Sequence, residues 1–349
     1  MKNQFNSVFV HDTNLSPFLR IIIRVAIVFF DIWWTFLLII SRMKNKKKKS
    51  SKYYFSICSI FKDEELSLKE WIEFHLLIGV DHFYLYNNFS SDNYKEILAP
   101  YVEKGKVTLI DWPVPPPSQM PAYQHFYNNY WHETQWVAFI DLDEYICPKH
   151  EDNIKDWIVK YESYPSLVVY WKQFGSSGQI EHNYSKLIIE QYYISWDKYY
   201  DYGKTFFNTR FPVYKFENKY LHVMASSCSL FGKNFLLPPI NEFKKFVHFK
   251  CNRIGVFRTI KDFTMQINHY ATKSYIEFFE SKKKRGSATG TGERSKRIKS
   301  AYAYDFVQDY ATSYDFTIYR FLVKLKLRIN KNIPNYFDYE NNNNNNSDL

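Results

Sequence analysis

From Ile21 to Ile40 the chain runs twenty residues interrupted only by Arg24, Asp31 and Thr35, and a helix of about 20 apolar residues crosses a bilayer core. Its Ile, Leu, Val and Phe residues favour insertion by on the order of 4 to 8 kcal/mol, against roughly 3 for a central Asp31 and less for a snorkelling Arg24. Arg24 and Asp31 share one helical face, so the helix either spans the membrane or lies in the interface with that face toward water. Arg42, Lys44, Lys46 to Lys49 and Lys52 follow it, whereas only Lys2 and Arg20 precede it. The positive-inside rule then predicts a cytoplasmic C-terminal body; the alternative is a luminal one. A cleavable signal would carry its charges ahead of the apolar run.

From Tyr53 the pattern changes to short apolar runs alternating with amphipathic ones. Strands are predicted at Tyr53 to Phe61, His82 to Tyr86, Lys106 to Trp112 and Trp136 to Ile140. Helices are predicted between them: one opened by a Ser67 to Glu70 capping box, with an apolar stripe through Leu68, Trp71, Ile72, His75 and Leu76, then Asp92 to Glu103 and about Ala122 to His132. The five prolines of Pro113 to Pro121 make a connecting loop. Strand and helix in strict alternation specify an α/β, doubly wound, mainly parallel sheet, whose ligands bind beyond the strand C-termini. Further on, Phe316 to Ile329 mixes apolar residues with Arg320, Lys324, Lys326 and Arg328, the composition of a basic helix on a membrane or of a packing helix. Asn341 to Asn346 is a polar homopolymer that cannot pack.

Lys and Arg exceed Asp and Glu by 10, which suits a phosphate-bearing partner or an anionic membrane. A nucleic-acid binder would explain that charge and the 20% aromatic content, but would not gather acids at strand ends. With no G-x-G-x-x-G and no P-loop among its 10 glycines, the chain is not a dinucleotide or Walker-type enzyme. Cys58, Cys147, Cys228 and Cys251 show no C-x-x-C spacing and no paired His at zinc-finger intervals, which argues against a structural zinc site and fits buried thiols in a reducing compartment.

The polar clusters fall on one predicted edge: Lys62 to Glu65 after the first strand, Asn87 to Asp92 after the second, and Asp141, Leu142, Asp143 and Glu144 after the fourth. In an extended segment alternate residues point the same way, so Asp141 and Asp143 are expected to face one cleft. Two hard carboxylates in a basic protein suit Mg²⁺ or Mn²⁺ shared with a substrate diphosphate. Lys62 and Glu64, with Asn88 and Asp92, are either ligand contacts or solvated loop residues. Gln124 and Tyr123, on the helix before the acidic strand, are within expected reach of that ligand. Trp171, Phe174, Ser176 and Ser177 belong to an aromatic and small-residue block suited either to stacking a sugar or to a core turn.

These residues resemble glycosyltransferase family 92 and the neighbouring family 2-like enzymes with a GT-A fold. The resemblance rests on FKDEELSLKEWIEFHLLIGVDHFYLYNN (61 to 88), WVAFIDLDEY (136 to 145), WKQFGSSG (171 to 178) and INHYATKS (267 to 274), followed by Lys283 to Gly286. It implies a nucleotide-diphosphate sugar donor such as a UDP-sugar, a glycan-type acceptor, a divalent metal at Asp141 and Asp143, and transfer with inversion; a non-catalytic glycan-binding relative is the rival. It further suggests His269 as a third metal ligand and Lys273 as a partner of the departing diphosphate. Members often carry Asp where this chain has Asn87. Inversion calls for an acceptor-side carboxylate base; Glu181, Asp197, Asp201 and Glu242 are available, Glu242 being the first choice. The expected organisation is an anchor over 1–52, the transferase domain over 53–290, a helical extension over 291–340 and a polar tail over 341–349.

Overall fold

The computed structural model describes residues 16–45, 51–217, 224–248, 262–282 and 301–330. Cys251, the 283–286 basic block and the Asn-rich tail lie outside them. The chain begins with α1 (Pro17–Lys44) and continues through β1 (Tyr53–Phe61), α2 (Glu65–Leu77), β2 (His82–Asn87), α3 (Tyr94–Glu103), β3 (Val107–Asp111), α4 (Gln119–Asn129) and β4 (Thr134–Phe139). Then come β5 (Glu144–Pro148), α5 (Ile154–Ile158), β6 (Ser166–Gln173), α6 (Ile188–Gln191), β7 (Ile194–Trp196) and β8 (Gly203–Asn208). The hairpin of β9 (Ser226–Leu230) and β10 (Lys233–Leu237), β11 (Met265–His269), α7 (Ala301–Tyr310), β12 (Ala311–Tyr314) and α8 (Leu322–Ile329) complete the described chain.

One eight-stranded sheet, ordered β3-β2-β1-β4-β8-β6-β11-β5, forms the centre. β1 to β4 are mutually parallel; β8 runs antiparallel between β4 and β6, and β5 antiparallel beside β11. Two reversals restore the direction, so β6 and β11 run the same way as β1 to β4. The C-terminal ends of six strands and the N-terminal ends of β5 and β8 therefore meet along one edge.

Alternation sorts the apolar residues to two faces. Phe55, Ile57, Phe83, Leu85, Trp136 and Ala138 join α2 and α3 in the larger core, while Cys58, Ile60, Tyr84, Tyr86, Val137 and Phe139 pack under Met120, Tyr123 and Phe126 of α4. This is the doubly wound arrangement expected from the alternating pattern.

Two local expectations are corrected. Helix α2 starts two residues before Ser67 because the Asp92 carboxylate accepts from Glu65 N at 2.8 Å, while Glu65 in return accepts from Asn93 N at 2.7 Å. Glu70, expected to close a capping box, instead takes the backbone N–H groups of Ile188 and Ile189 at 2.8 and 3.1 Å. The basic C-terminal segment is a packing helix: Ile318, Phe321 and Leu325 enter the main core, and Arg320, Lys326 and Arg328 pair with Asp152, Glu190 and Glu73.

Helix α1 is joined to the body. Leu37 and Leu38 are buried against Cys228 and Leu237 of the β9–β10 hairpin. Cys58, Cys147 and Cys228 are buried free thiols.

His75 shows how the core constrains polar groups. Its Nδ1–H donates to Trp71 O at 2.7 Å and Nε2 accepts from Ile146 N at 3.2 Å, joining α2 to β5. Burial disfavours the imidazolium and pulls its pKa down to about 3. A folded pKa below the unfolded value means that the unfolded chain binds the proton first, so stability present above about pH 6.5 is lost as the pH falls toward 3. Urea unfolding from pH 7 to 4 should show a decline of a few kcal/mol, and His75→Gln, though less stable at pH 7, should flatten it. An unchanged slope in the variant would remove His75 as the origin.

Candidate active site

The turn after β4 carries the acids. Glu144 N donates to Asp141 O at 3.1 Å, so residues 141–144 turn back into β5 instead of continuing extended. That reversal cancels the alternation expected to place Asp141 and Asp143 side by side. Glu144 takes the expected place of Asp141: its carboxylate, that of Asp143 and the His269 ring offer ligand atoms all within 4.8 Å of one another. His269 ends β11, where Nε2 lies 3.7 Å from Asp143 Oδ1 and Nδ1 lies 3.0 Å from the Gln173 amide. Trp171 packs against the imidazole, the ring planes tilted by 36° and the centres 4.8 Å apart. This small cleft is a candidate metal centre.

Asp141 sits beside that group with both carboxylate oxygens engaged. Oδ1 accepts from Gln119 Nε2 at 2.9 Å and Oδ2 from Lys204 Nζ at 2.8 Å. Lys204, almost completely buried, also lies 3.5 Å from Glu144 Oε2. Burial disfavours its charge, but Asp141 and Glu144 outweigh that cost and hold its pKa above the ordinary value. Glu144 is fully buried, and desolvation followed by repulsion from Asp141 and Asp143 pushes its pKa well up despite Lys204. Its Oε2 accepts from Asp141 N at 3.0 Å, while Oε1 is buried with no hydrogen-bond partner.

Lys204, Gln119, Gln173 and the inward role of Glu144 were not singled out from the sequence. A lysine after glycine, two residues ahead of the buried pair Phe206 and Phe207, was the available signal. Gly203 is needed there because a Cβ would come within 2.0 Å of Val169 O across the β6–β8 pairing.

The loops after β1 and β2, expected to contact a donor, meet at the same edge. Asp63 N donates to Ser90 Oγ at 2.9 Å and Ser91 N to Asp63 Oδ1 at 2.7 Å, so the loops after β1 and β2 are knitted together. Glu64 and Lys273 are brought within 3.9 Å, and Lys273, buried, donates to Ser67 Oγ at 3.0 Å. Lys62 is half-buried at the rim. Asp92 holds the start of α2. Asn88 is buried, its Nδ2 donating to Trp112 O and Val114 O at 2.8 and 2.9 Å. It anchors the proline-rich loop, which leaves its amide no free N–H for a donor.

Other expected residues serve packing and the backbone rather than the cluster. Gln124 is on the exposed side of α4, bonded to Asn128 at 3.0 Å, because the buried side of that helix turns Gln119 and Tyr123 inward. Phe174 is fully buried on Tyr270, Ser176 bonds Gln308, and Ser177 Oγ accepts from Tyr193 N and Ile194 N, so the small-residue block is a packed turn under α7. Glu242 accepts from Thr264 N at 2.9 Å and Met265 N at 3.3 Å, at the start of β11. His269 is at the other end, about 13 Å along the strand, so Glu242 is not a base for this cleft. Burial raises its pKa, against the hydrogen bonds from Thr264 and Met265.

A family model described as Glycosyltransferase family 92 matches residues 51–227, just over half of the chain. Among curated relatives, a glycosyltransferase family 92 protein of Oryza sativa subsp. japonica is 29% identical over 127 residues, covering 35% of this chain and 22% of its own length. One from Ricinus communis is 26% identical over 133 residues, covering 35% and 23%. The chain thus matches less than a quarter of the length of these relatives. Among solved structures, residues 1–349 of TarS from S. aureus align over 45% of this chain and 47% of that one, at 12% identity and a TM-score of 0.31. Superposition that loose is not evidence for a shared site.

If Lys204 is the counter-ion that lets these acids share one edge, Lys204→Met leaves Asp141 and Glu144 facing each other uncompensated. Urea unfolding at pH 7.5 should show a loss on the order of 3 kcal/mol, and adding Asp141→Asn to Lys204→Met should recover part of it. Equal stability of Lys204→Met and the wild type would show that the ammonium is dispensable.

Proposed function

The chain belongs to glycosyltransferase family 92, and from that premise we propose that it transfers a sugar from a nucleotide-diphosphate donor to a glycan-type acceptor with the help of a divalent cation. The pairing of Asp143 with His269 beside the buried, partnerless Glu144 Oε1 carries this reading. The donor set fits Mn²⁺ or Mg²⁺: carboxylate oxygens suit both, and one imidazole favours Mn²⁺. Asp143 and His269 would hold the ion, with Glu144 as the nearest further carboxylate. An ion bound there supplies positive charge for the diphosphate that leaves.

The protein's own groups prepare that cleft. Gln173 holds the imidazole through its amide Nε2, 3.0 Å from Nδ1; turning that amide over would give its otherwise partnerless Oε1 the Nδ1–H and leave the Nε2 lone pair for the ion. Lys204 and Gln119 hold Asp141 at the rim, so that the diphosphate meets a cleft whose excess negative charge is already balanced. Lys273, with Glu64, stands at the end of α2 where the knitted loops form the donor side. Trp171 covers one side of His269 and limits water access. Inversion, which the family resemblance implies, is read directly from the anomeric configuration of the product by NMR.

Incubation with a panel of nucleotide sugars should release nucleoside diphosphate in Mn²⁺ and not in EDTA. Asp143→Ala should lower the rate by 10²-fold or more and weaken Mn²⁺ binding measured by electron paramagnetic resonance, with its melting temperature little changed. Full turnover in EDTA would overturn the metal requirement. Mn²⁺ binding with no turnover of any donor would favour the glycan-binding alternative.

A further inference from the structure

Helix α1 has 28 residues, about 42 Å of helix, and the structure divides it at Asp31. From there to Lys44 it is bound to the globular body. Asp31 Oδ1 lies 2.8 Å from His248 Nε2. Trp34 packs on Phe246 and His248, Trp33 lies edge-on to Phe235 of β10, and Arg42 donates to Ser163 O at 2.7 Å while covering the Tyr164 ring. The polar residue that made the apolar run ambiguous therefore has a partner supplied by the body. Of the described helix, Pro17 to Phe30 precedes that contact, about 21 Å, short of a hydrocarbon core of about 30 Å.

The outward side of the bound half is apolar: Ile32, Phe36, Ile39 and Met43 are exposed at helical spacing. Beside it the β9–β10 hairpin presents Phe231 at its tip, 92% exposed, on a turn where Phe231 and Gly232 both take positive φ. An aromatic ring held in the strained left-handed region and fully in water is costly unless something covers it. Exposed Lys233, Lys244 and Lys245 flank the residues that pack on α1, and Lys44 closes the helix. Apolar groups ringed by lysines complement one occupant, an anionic lipid surface.

We propose that α1 and the β9–β10 hairpin form a single membrane-docking face. The first half of α1 enters one leaflet, the Phe231 tip inserts at headgroup depth, and the lysines contact anionic headgroups, so that the catalytic body lies against the bilayer and is not tethered at a distance from it. The proposal is independent of the reaction assigned above.

The test uses the full chain in a Cys251→Ser background, where the three described native thiols are buried, with Phe231→Cys carrying an environment-sensitive fluorophore. Asp305→Cys, exposed on α7, serves as the aqueous control. In vesicles of phosphatidylcholine with phosphatidylserine, the label at 231 should shift to the blue, be quenched by lipids spin-labelled high on the acyl chain, and resist iodide, while the label at 305 behaves as in water. Replacing phosphatidylserine by phosphatidylcholine, or Lys233, Lys244 and Lys245 together by Glu, should reduce the shift several-fold. A label at 231 as iodide-accessible as that at 305 in membrane-bound protein would overturn the proposal in favour of a body held off the membrane. Protection at 231 that appears without lipid and depends on protein concentration would overturn it in favour of a second copy.

Discussion

The ammonium of Lys204, buried between Asp141 and Glu144, is the constraint on which the site depends. Three acids within four residues, one without solvent contact, cannot share a strand end unless a fixed cation offsets them. Neither the turn that bears the acids nor the parallel half of the sheet can provide it. It comes from β8, the antiparallel strand inserted between β4 and β6, whose first residue lies so close to β6 that only glycine fits. The antiparallel reversal brings the beginning of a strand to the edge where the others end.

Many polar residues at that edge are committed to the backbone. Asp92, Glu65 and Glu70 each accept main-chain N–H groups, as Glu242 does at the opposite end of β11, and Asn88 donates to two carbonyls of the proline-rich loop. Buried main-chain groups must find partners, and where strands turn into helices the sheet no longer supplies them. Acids and amides at strand ends are thus as often structural as chemical. The groups that converge as possible cation ligands, Asp143, His269 and Glu144, come from the turn between β4 and β5, β11 and β5.

The apolar N-terminal helix follows the same logic. Its composition allows either a span or an interfacial helix, and the choice turns on whether Asp31 faces lipid or protein. His248 answers that demand from more than two hundred residues away in sequence, and the helix thereby becomes part of the same body that carries the cleft.

The sequence by itself determined the order of strands and helices through α4 and β4, the two-faced core, and the edge at which polar residues collect. Those features depend on local periodicity, which a single segment expresses without its neighbours. Asp143 and His269, which the fold brings together, were singled out as candidates beforehand, the first from its place after a buried strand and the second through the family resemblance. Only the tertiary structure decided that Asp141 bonds Lys204 and Gln119, that Glu144 turns inward, that Glu242 and Asn88 serve the backbone, and that Asp31 has a protein partner. Each of these depends on segments distant in sequence meeting at a particular register, and a one-residue shift would reverse which side chains meet. Periodicity specifies the face a residue occupies within its own element; the packing of elements specifies the partner it finds there.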